Sequence, residues 1–361
     1  MAATKRVLIY RLGSLGDTVV ALPAFYLAER AFPEAERRLL TNFPVNAKAP
    51  PAAAILESTG TVQGYLRYTV GTRNPLELLR LWWQIVRWRP EVLVYLGSAR
   101  GVASAMRDAK FFRLCGIARQ FGVPVTEDMQ KNRGTPDLED LEPEGARLTR
   151  NIASLGDAHL DDPASWDLRL TAAEHARAAE VLTAIADRPM IAVSVGTKVQ
   201  SKDWGRENWR SLLARVAALY PGHALALLGA PSESEASEYA ADGWREAIAS
   251  RPSAPLAIVV NLCGSLTPRE SAAVFARAAA FLGHDSGPMH LAAAVQTPCV
   301  AIFAARNIPR IWFPYGTHHR IVYHRVECWG CELETCIVER KRCLTSITVE
   351  EVVGHVRAVL G

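Results

Sequence analysis

Short β-branched apolar runs alternate with longer stretches of helical periodicity along this chain, and that alternation predicts parallel βα units. In the first half, Arg6–Tyr10 reads as a strand, 18–31 repeats apolar positions at helical spacing, and 38–41 reads as a second strand. Residues 75–87 (PLELLRLWWQIVR) form an amphipathic helical pattern, with a strand behind it at 91–96. Trp82, Trp83 and Trp88 are open to two readings, the buried face of that crossover helix or a patch facing a membrane or an acceptor. Residues 124–165 are rich in Asp, Glu, Pro and Gly and weakly periodic, which predicts a long loop segment. A helix over 170–186 ends at Arg188-Pro189, and strand, glycine and helix then alternate again through strands at 190–195, 224–228, 257–261, 280–283 and 299–303. The last helix, 348–360, opens on a capping-box-like pair, Thr348 and Glu351. The pattern predicts an α/β fold in two similar domains, 1–187 and 188–361.

The length of 361 residues supports the division, since one core rarely serves so long a chain. A hydrophobic share of 49% and a charged share of 22% are those of a globular protein. The net charge of +4 fits an anionic ligand or loose attachment to an anionic membrane surface, and does not call for nucleic acid. No run approaches the about 18 apolar residues of a spanning helix, and the opening MAATKRVLIYRLGSLGD reads as a first strand rather than a signal peptide. The expectation is a cytoplasmic enzyme with at most peripheral membrane contact.

Of the seven cysteines, Cys115, Cys263 and Cys299 sit in apolar surroundings and read as reduced core residues. Cys328, Cys331, Cys336 and Cys343 fall within sixteen residues. Four thiolates so close suit a structural zinc or iron, and equally suit free or redox-linked thiols.

The densest chemistry is HDSGPMHLAAA at 284–294. Ser286 is a good N-cap and Pro288 suits a first turn, so a helix start follows a buried strand and forms an anion site. Gly287 lets a phosphate approach, while Asp285 and His290 add an acceptor and a switchable donor; His290 could equally only fix the turn. The turn RLGSLGD at 11–17 brings Gly13, Ser14 and Gly16 to the mouth of a helix, with Asp17 either capping that helix or acting as a general base. Lys198 and Lys202, before a further helix, are solvated surface charges or part of the same anion field. Glu233, in GAPSESE at 229–235, is an ordinary first-turn acid or an acceptor for ribose hydroxyls.

Four blocks, RLGSLGDTVVALPA at 11–24, SKDW at 201–204, GAPSE at 229–233 and HDSGPMHLAAAVQTPCVAIF at 284–303, together resemble glycosyltransferase family 9, the ADP-heptose:lipopolysaccharide heptosyltransferases and their relatives. The resemblance implies a GT-B fold of two facing Rossmann-like domains with parallel sheets, the N-terminal one binding the acceptor. The C-terminal one would bind the nucleotide-sugar and carry the Cys-rich loop 328–343 and the terminal helix. It implies inverting sugar transfer, with no cofactor required for the chemistry, heptose moving from ADP-heptose to a lipopolysaccharide core or related surface glycan. By the same resemblance Asp17 is the general base and Ser14 and Gly16 form the acceptor-side loop. Lys202 would hold donor phosphate, Glu233 the ribose, and Asp285, Ser286, Gly287 and His290 the donor. The expected partners are a nucleotide-sugar donor and a glycan or glycolipid acceptor, met at the inner face of the plasma membrane. The competing readings are another GT-B enzyme, such as a nucleotide-sugar epimerase, and a non-catalytic scaffold built around the cysteine loop.

Overall fold

The computed structural model describes residues 4–43, 50–69, 71–136, 140–185, 187–251, 256–337 and 339–361. The chain divides into two compact units, Met1–Arg169 and Leu170–Gly361.

The first unit runs β1 (Arg6–Tyr10), α1 (Leu15–Val20), α2 (Leu22–Ala31), β2 (Glu36–Asn42), α3 (Ala53–Leu56), β3 (Gly64–Tyr68), α4 (Pro75–Trp88) and β4 (Val92–Tyr95). It continues with α5 (Val102–Leu114), β5 (Arg119–Phe121), α6 (Glu127–Gln130) and α7 (Glu144–Asn151). Its five strands are parallel in the order β3-β2-β1-β4-β5. Val7, Leu8 and Ile9 of β1 are fully buried, as an apolar run in a sheet covered on both faces must be. One face packs Leu8, Tyr10, Leu40 and Leu93 against Leu81, Ile85 and Trp88 of α4 and Ala105, Ala109 and Phe112 of α5. The single helix expected over 18–31 is two helices. Pro23, in the first turn of α2, has no amide to continue the α1 ladder, and the chain turns at Ala21.

The loop expected over 124–165 is a correction. It holds α6, α7 and two 3₁₀ turns. The buried Arg147 meets both Glu144 carboxylate oxygens at 2.7 Å and donates to the carbonyls of Met129 and Gly97. A helix whose buried face carries an acid and a base hides its periodicity from a hydrophobic count.

The second unit runs α8 (Ala172–Val181), β6 (Met190–Ser194), α9 (Arg206–Leu219), β7 (Ala224–Leu227), α10 (Ser234–Ala249), β8 (Val259–Asn261), α11 (Pro268–Phe275) and β9 (Ala280–His284). Then follow α12 (Gly287–Ala294), β10 (Cys299–Phe303), β11 (Arg320–Tyr323), α13 (Arg342–Thr345) and α14 (Val349–Leu360). Its six strands are parallel in the order β11-β10-β9-β6-β7-β8. Ile191, Val193, Leu225 and Leu227 pack one face against Trp209, Leu212, Trp244, Val352 and Val356 of α9, α10 and α14. The unit begins at Leu170 rather than at the expected residue 188. The reason is local: Glu174 of α8 accepts from Arg269 of α11 at 2.5 and 3.0 Å, with Arg269 buried.

Each sheet has one place where strand order reverses, between β1 and β4 in the first unit and between β6 and β9 in the second. Ligands of open α/β sheets bind outside the carboxyl ends of strands at such points.

Candidate functional site

At the first reversal, Arg11 follows β1 and is 1% exposed. Its Nη1 donates to the carbonyl of Leu96, just past β4, and its Nη2 to the backbone carbonyl of Asp17, both at 2.8 Å. Burial pulls the Arg11 pKa down, with Asp17 and Glu144 opposing. The Asp17 carboxylate folds back over the turn. Its Oδ2 accepts from the Ser14 amide at 2.7 Å and the Ser14 hydroxyl at 2.9 Å. Its Oδ1 faces Arg11 Nη2 at 3.9 Å. Asp17 therefore does cap α1, and Oδ1 is left for other work. Gly13 makes the fold-back possible: its φ is +142°, and a Cβ there would fall on the Cβ and Cγ of Asp17. Asn42, from the end of β2, holds the Gly13 amide at 3.0 Å. Gly16 lies in the first turn of α1.

Beside this turn, at the ends of β1, β3 and β4, lies a polar cluster that the sequence reading does not contain. Arg100 Nη2 donates to the hydroxyls of Tyr10 and Tyr95 at 3.1 Å and to Asp108 at 2.6 Å, and the Tyr10 and Tyr68 hydroxyls lie 3.2 Å apart. Burial raises the Tyr10 and Tyr95 phenols well above their ordinary range, so both stay protonated.

At the second reversal, β9 ends at His284, which is fully buried. Its Nε2 accepts from the Trp204 amide at 3.1 Å and the Trp209 indole at 3.3 Å. Burial holds this imidazole down at about 4. His284 thus ties the SKDW segment to the start of the donor-type turn. The next residue, Asp285, accepts through Oδ2 from Lys202 Nζ at 2.6 Å and from Asn307 Nδ2 at 3.2 Å. Lys202 Nζ also lies 3.2 Å from the Asp285 carbonyl. The lysine expected on a phosphate thus spends two of its three N–H donors on Asp285, and is still 18% exposed.

Ser286 caps α12 by position, yet its hydroxyl makes no capping bond; it is buried and has no hydrogen-bond partner among the described residues. A buried, unsatisfied donor costs about 1–3 kcal/mol, so this hydroxyl at the helix start keeps its bonding capacity unspent. Gly287 opens the helix beside it. His290, one turn in, is buried, and it adds slightly to the depression that burial imposes on the His319 imidazole.

Glu233 follows β7, the other neighbour of β6. Its Oε2 accepts from the Ala230 amide at 2.8 Å. A Cβ on Gly196, past β6, or on Gly229, past β7, would collide with its carboxylate. Two glycines thus cradle Glu233. The structure brings Lys202, Asp285, Ser286 and Gly287 together, with Glu233 beside the neighbouring strands β6 and β7.

The cysteine loop packs onto this constellation. The carbonyls of Leu333 and Glu334 accept from the Ser201 hydroxyl and amide at 2.5 and 3.0 Å, and Gln200 Oε1 accepts from the Cys336 amide at 3.0 Å. Lys341 Nζ donates to the Asp203 carbonyl at 2.8 Å. All seven cysteines are unpaired. Burial first, and then the neighbouring thiols, raise Cys328 and Cys343. Yet Cys331 is exposed, Cys336 Sγ accepts from the Lys341 amide at 3.2 Å, and no three His, Cys, Asp or Glu among the described residues converge to hold a metal ion. Of the two readings of the four thiols, a structural metal or free thiols, this arrangement gathers no metal-holding set among the described residues. Among the described residues no helix is long and apolar enough to cross a membrane.

Arg11, His284, Arg100 and Asn307 escaped the sequence reading. His284 alone left a signal, as a lone polar residue closing an apolar strand next to Asp285.

Comparison with known proteins bears on this geometry. The family model of glycosyltransferase family 9 (heptosyltransferase) matches residues 147–341. Lipooligosaccharide heptosyltransferase 2 of Campylobacter jejuni subsp. jejuni serotype O:2 is 28% identical over 102 residues, which are 28% of this chain and 32% of that protein. The chain thus spans about a third of the length of that curated relative. Among solved structures, the glycosyl transferase family 9 from Veillonella parvula DSM 2008 has a TM-score of 0.71 at 15% identity, covering 100% of this chain and 98% of that one. The E. coli heptosyltransferase WaaC with ADP-2-deoxy-2-fluoro heptose has a TM-score of 0.61 at 18% identity, covering 98% and 99%. The likeness extends over both units and carries the fold.

Proposed function

The chain belongs to glycosyltransferase family 9 and has the GT-B type of fold, and from that premise we propose that it transfers heptose from ADP-heptose, with inversion, to a lipopolysaccharide core or related surface glycan. The observation that carries the donor side is the buried, unpartnered Ser286 hydroxyl at the start of α12, beside the Lys202–Asp285 pair. A diphosphate there would take that hydroxyl, the α12 amides and the remaining Lys202 donor. The cradled Glu233 would accept from ribose hydroxyls.

On the acceptor side, Asp17 is the general base. An acceptor hydroxyl attacks the anomeric carbon from the face opposite the leaving diphosphate, and its proton passes to Asp17 Oδ1. Ser14 holds Oδ2, which fixes the carboxylate's aim. The C–O bond to the diphosphate breaks with its electron pair going to phosphate oxygen. Lys202 and the helix start stabilise that charge, so this reading routes no step through a metal.

The test separates the two halves. Asp17→Asn should lower turnover by about 10²–10⁴-fold, the usual share of general-base catalysis, while calorimetry finds ADP-heptose binding unchanged. Ser286→Ala should weaken binding of ADP and ADP-heptose alike. Full turnover in the Asp17 variant removes it from the mechanism. No binding of any sugar nucleotide by the unaltered chain removes the donor assignment, and epimer formation from UDP-N-acetylglucosamine without acceptor moves the reading to an epimerase.

A further inference from the structure

α4 and α5 turn their inner halves into one core, so their outer faces lie side by side, joined where Trp82 Nε1 donates to the Leu114 carbonyl at 3.2 Å. Of the three tryptophans in α4, Trp88 is buried, Trp82 half-buried, and Trp83 exposed. Trp83 continues a stripe with Leu76 and Leu79, the three being 53, 62 and 57% exposed at helical spacing. On α5, Met106 and Leu114 are 47 and 75% exposed and border a shallow depression with Lys110 and Phe111. With Leu78, these two helices carry six of the twelve large apolar side chains exposed among the described residues. Such clustering marks an interaction surface.

The exposed charges around the stripe are basic. Arg80, Arg87, Arg107, Lys110 and Arg113 are exposed. The two acids on these helices are already engaged, Glu77 by the Thr69 amide and the Thr72 hydroxyl, and Asp108 by Arg100, Tyr95 and, at 3.6 Å, Arg107, which leaves Arg80, Arg87, Lys110 and Arg113 as the bases of the face. Arg87 lies over the Trp83 ring at 5.1 Å, its stem along the apolar face and its head outward. Leucine, methionine and tryptophan rimmed by an excess of bases is the composition of a helix face that rests in a lipid headgroup layer. A second copy of the same face would bring base against base.

We propose that the outer face of α4 and α5 docks the first unit onto an anionic lipid bilayer. The acyl boundary takes Leu76, Leu79, Trp83 and Leu114, and the bases meet headgroup phosphates. The inference stands apart from the identity of the sugar and is read without turnover.

The full chain is sedimented with vesicles of phosphatidylcholine alone or mixed with phosphatidylglycerol, at physiological and at high salt. The expected result is binding to the mixed vesicles, fading with salt. The pairs Leu79→Asp with Trp83→Asp, and Lys110→Glu with Arg113→Glu, should each lower that binding at least tenfold with unchanged melting temperature. Equal binding to both vesicle types, binding indifferent to both pairs, or no binding at all overturns the proposal. So does reversible self-association abolished by the same pairs, which gives the face to a second copy.

Discussion

Two side chains of the proposed site are positioned by glycines. Asp17 folds over Gly13, and Glu233 lies against Gly196 and Gly229. Gly13→Ala puts a methyl where Asp17 must be, at a φ of +142° that an L side chain rarely adopts. Turnover should fall at least about a hundredfold, as when a general base is displaced, with donor affinity unchanged; kinetics beside calorimetry decides. Gly196→Ala should do the reverse. It pushes Glu233 aside and weakens ADP binding at least about tenfold, roughly the worth of one charge-assisted hydrogen bond. Loss of turnover with normal ADP affinity in that variant would detach Glu233 from the ribose. At this scale the sequence marks the residues of the proposed site, because Asp17, Lys202, Glu233 and Asp285 are chemically distinctive in short blocks. It does not show what holds them. Arg11 reads as an ordinary charge after a strand, and only the fold brings it to the Leu96 carbonyl. Lys202 reads as free for phosphate, and only the fold pairs it with Asp285.

Elements carry their own version of this. Strands buried on both faces announce themselves as unbroken apolar runs, so β1, β4, β6, β7, β9 and β10 are legible. Edge strands are less so: the strand expected at 257–261 shortens to β8, while β5 is three residues long and β3 and β11 keep half-exposed positions that blur the run. α7 is hidden by its buried Glu144–Arg147 pair. The cysteine loop is the largest surprise among the elements. Its four thiols draw the eye to metals, whereas its backbone and Lys341 hold residues 200–203 in place. Lys341→Met should therefore raise the KM for ADP-heptose severalfold, the loss of one hydrogen bond of about 1 kcal/mol, while kcat changes little. An unchanged KM would show that the loop merely lies alongside. The thiols themselves should react by exposure: Cys331 first with a thiol reagent, and Cys115 and Cys299 only on unfolding. Burial pushes Cys115 up to about 12 and Cys299 higher still.

The whole molecule repeats one device: a parallel sheet whose strand order reverses, with polar side chains gathered at the reversal. The two units differ in what they bury there, and the difference sets how each responds to acid. The first unit contains one of the nine histidines, His159, which is exposed. The second contains His284 and His319, both held by burial at about 4 against an ordinary value of 6.5. Between those values the unfolded imidazoles bind protons that the folded ones refuse. Unfolding therefore gains as pH falls, and the stability these groups confer is complete above pH 6.5 and shrinks toward pH 4. Each imidazole costs on the order of 3 kcal/mol of stability by the acid end. Scanning calorimetry from about pH 7.5 to 5, with hydrogen exchange assigning the transitions, should show the second unit losing more melting temperature than the first. His319 helps to close β10, accepting the Cys299 amide at 3.1 Å and contacting the Tyr315 carbonyl through its other ring nitrogen. His319→Asn should flatten part of that slope even if it lowers stability at every pH. Two units that weaken in parallel on acidification would show that carboxylates, not buried imidazoles, govern the acid limit.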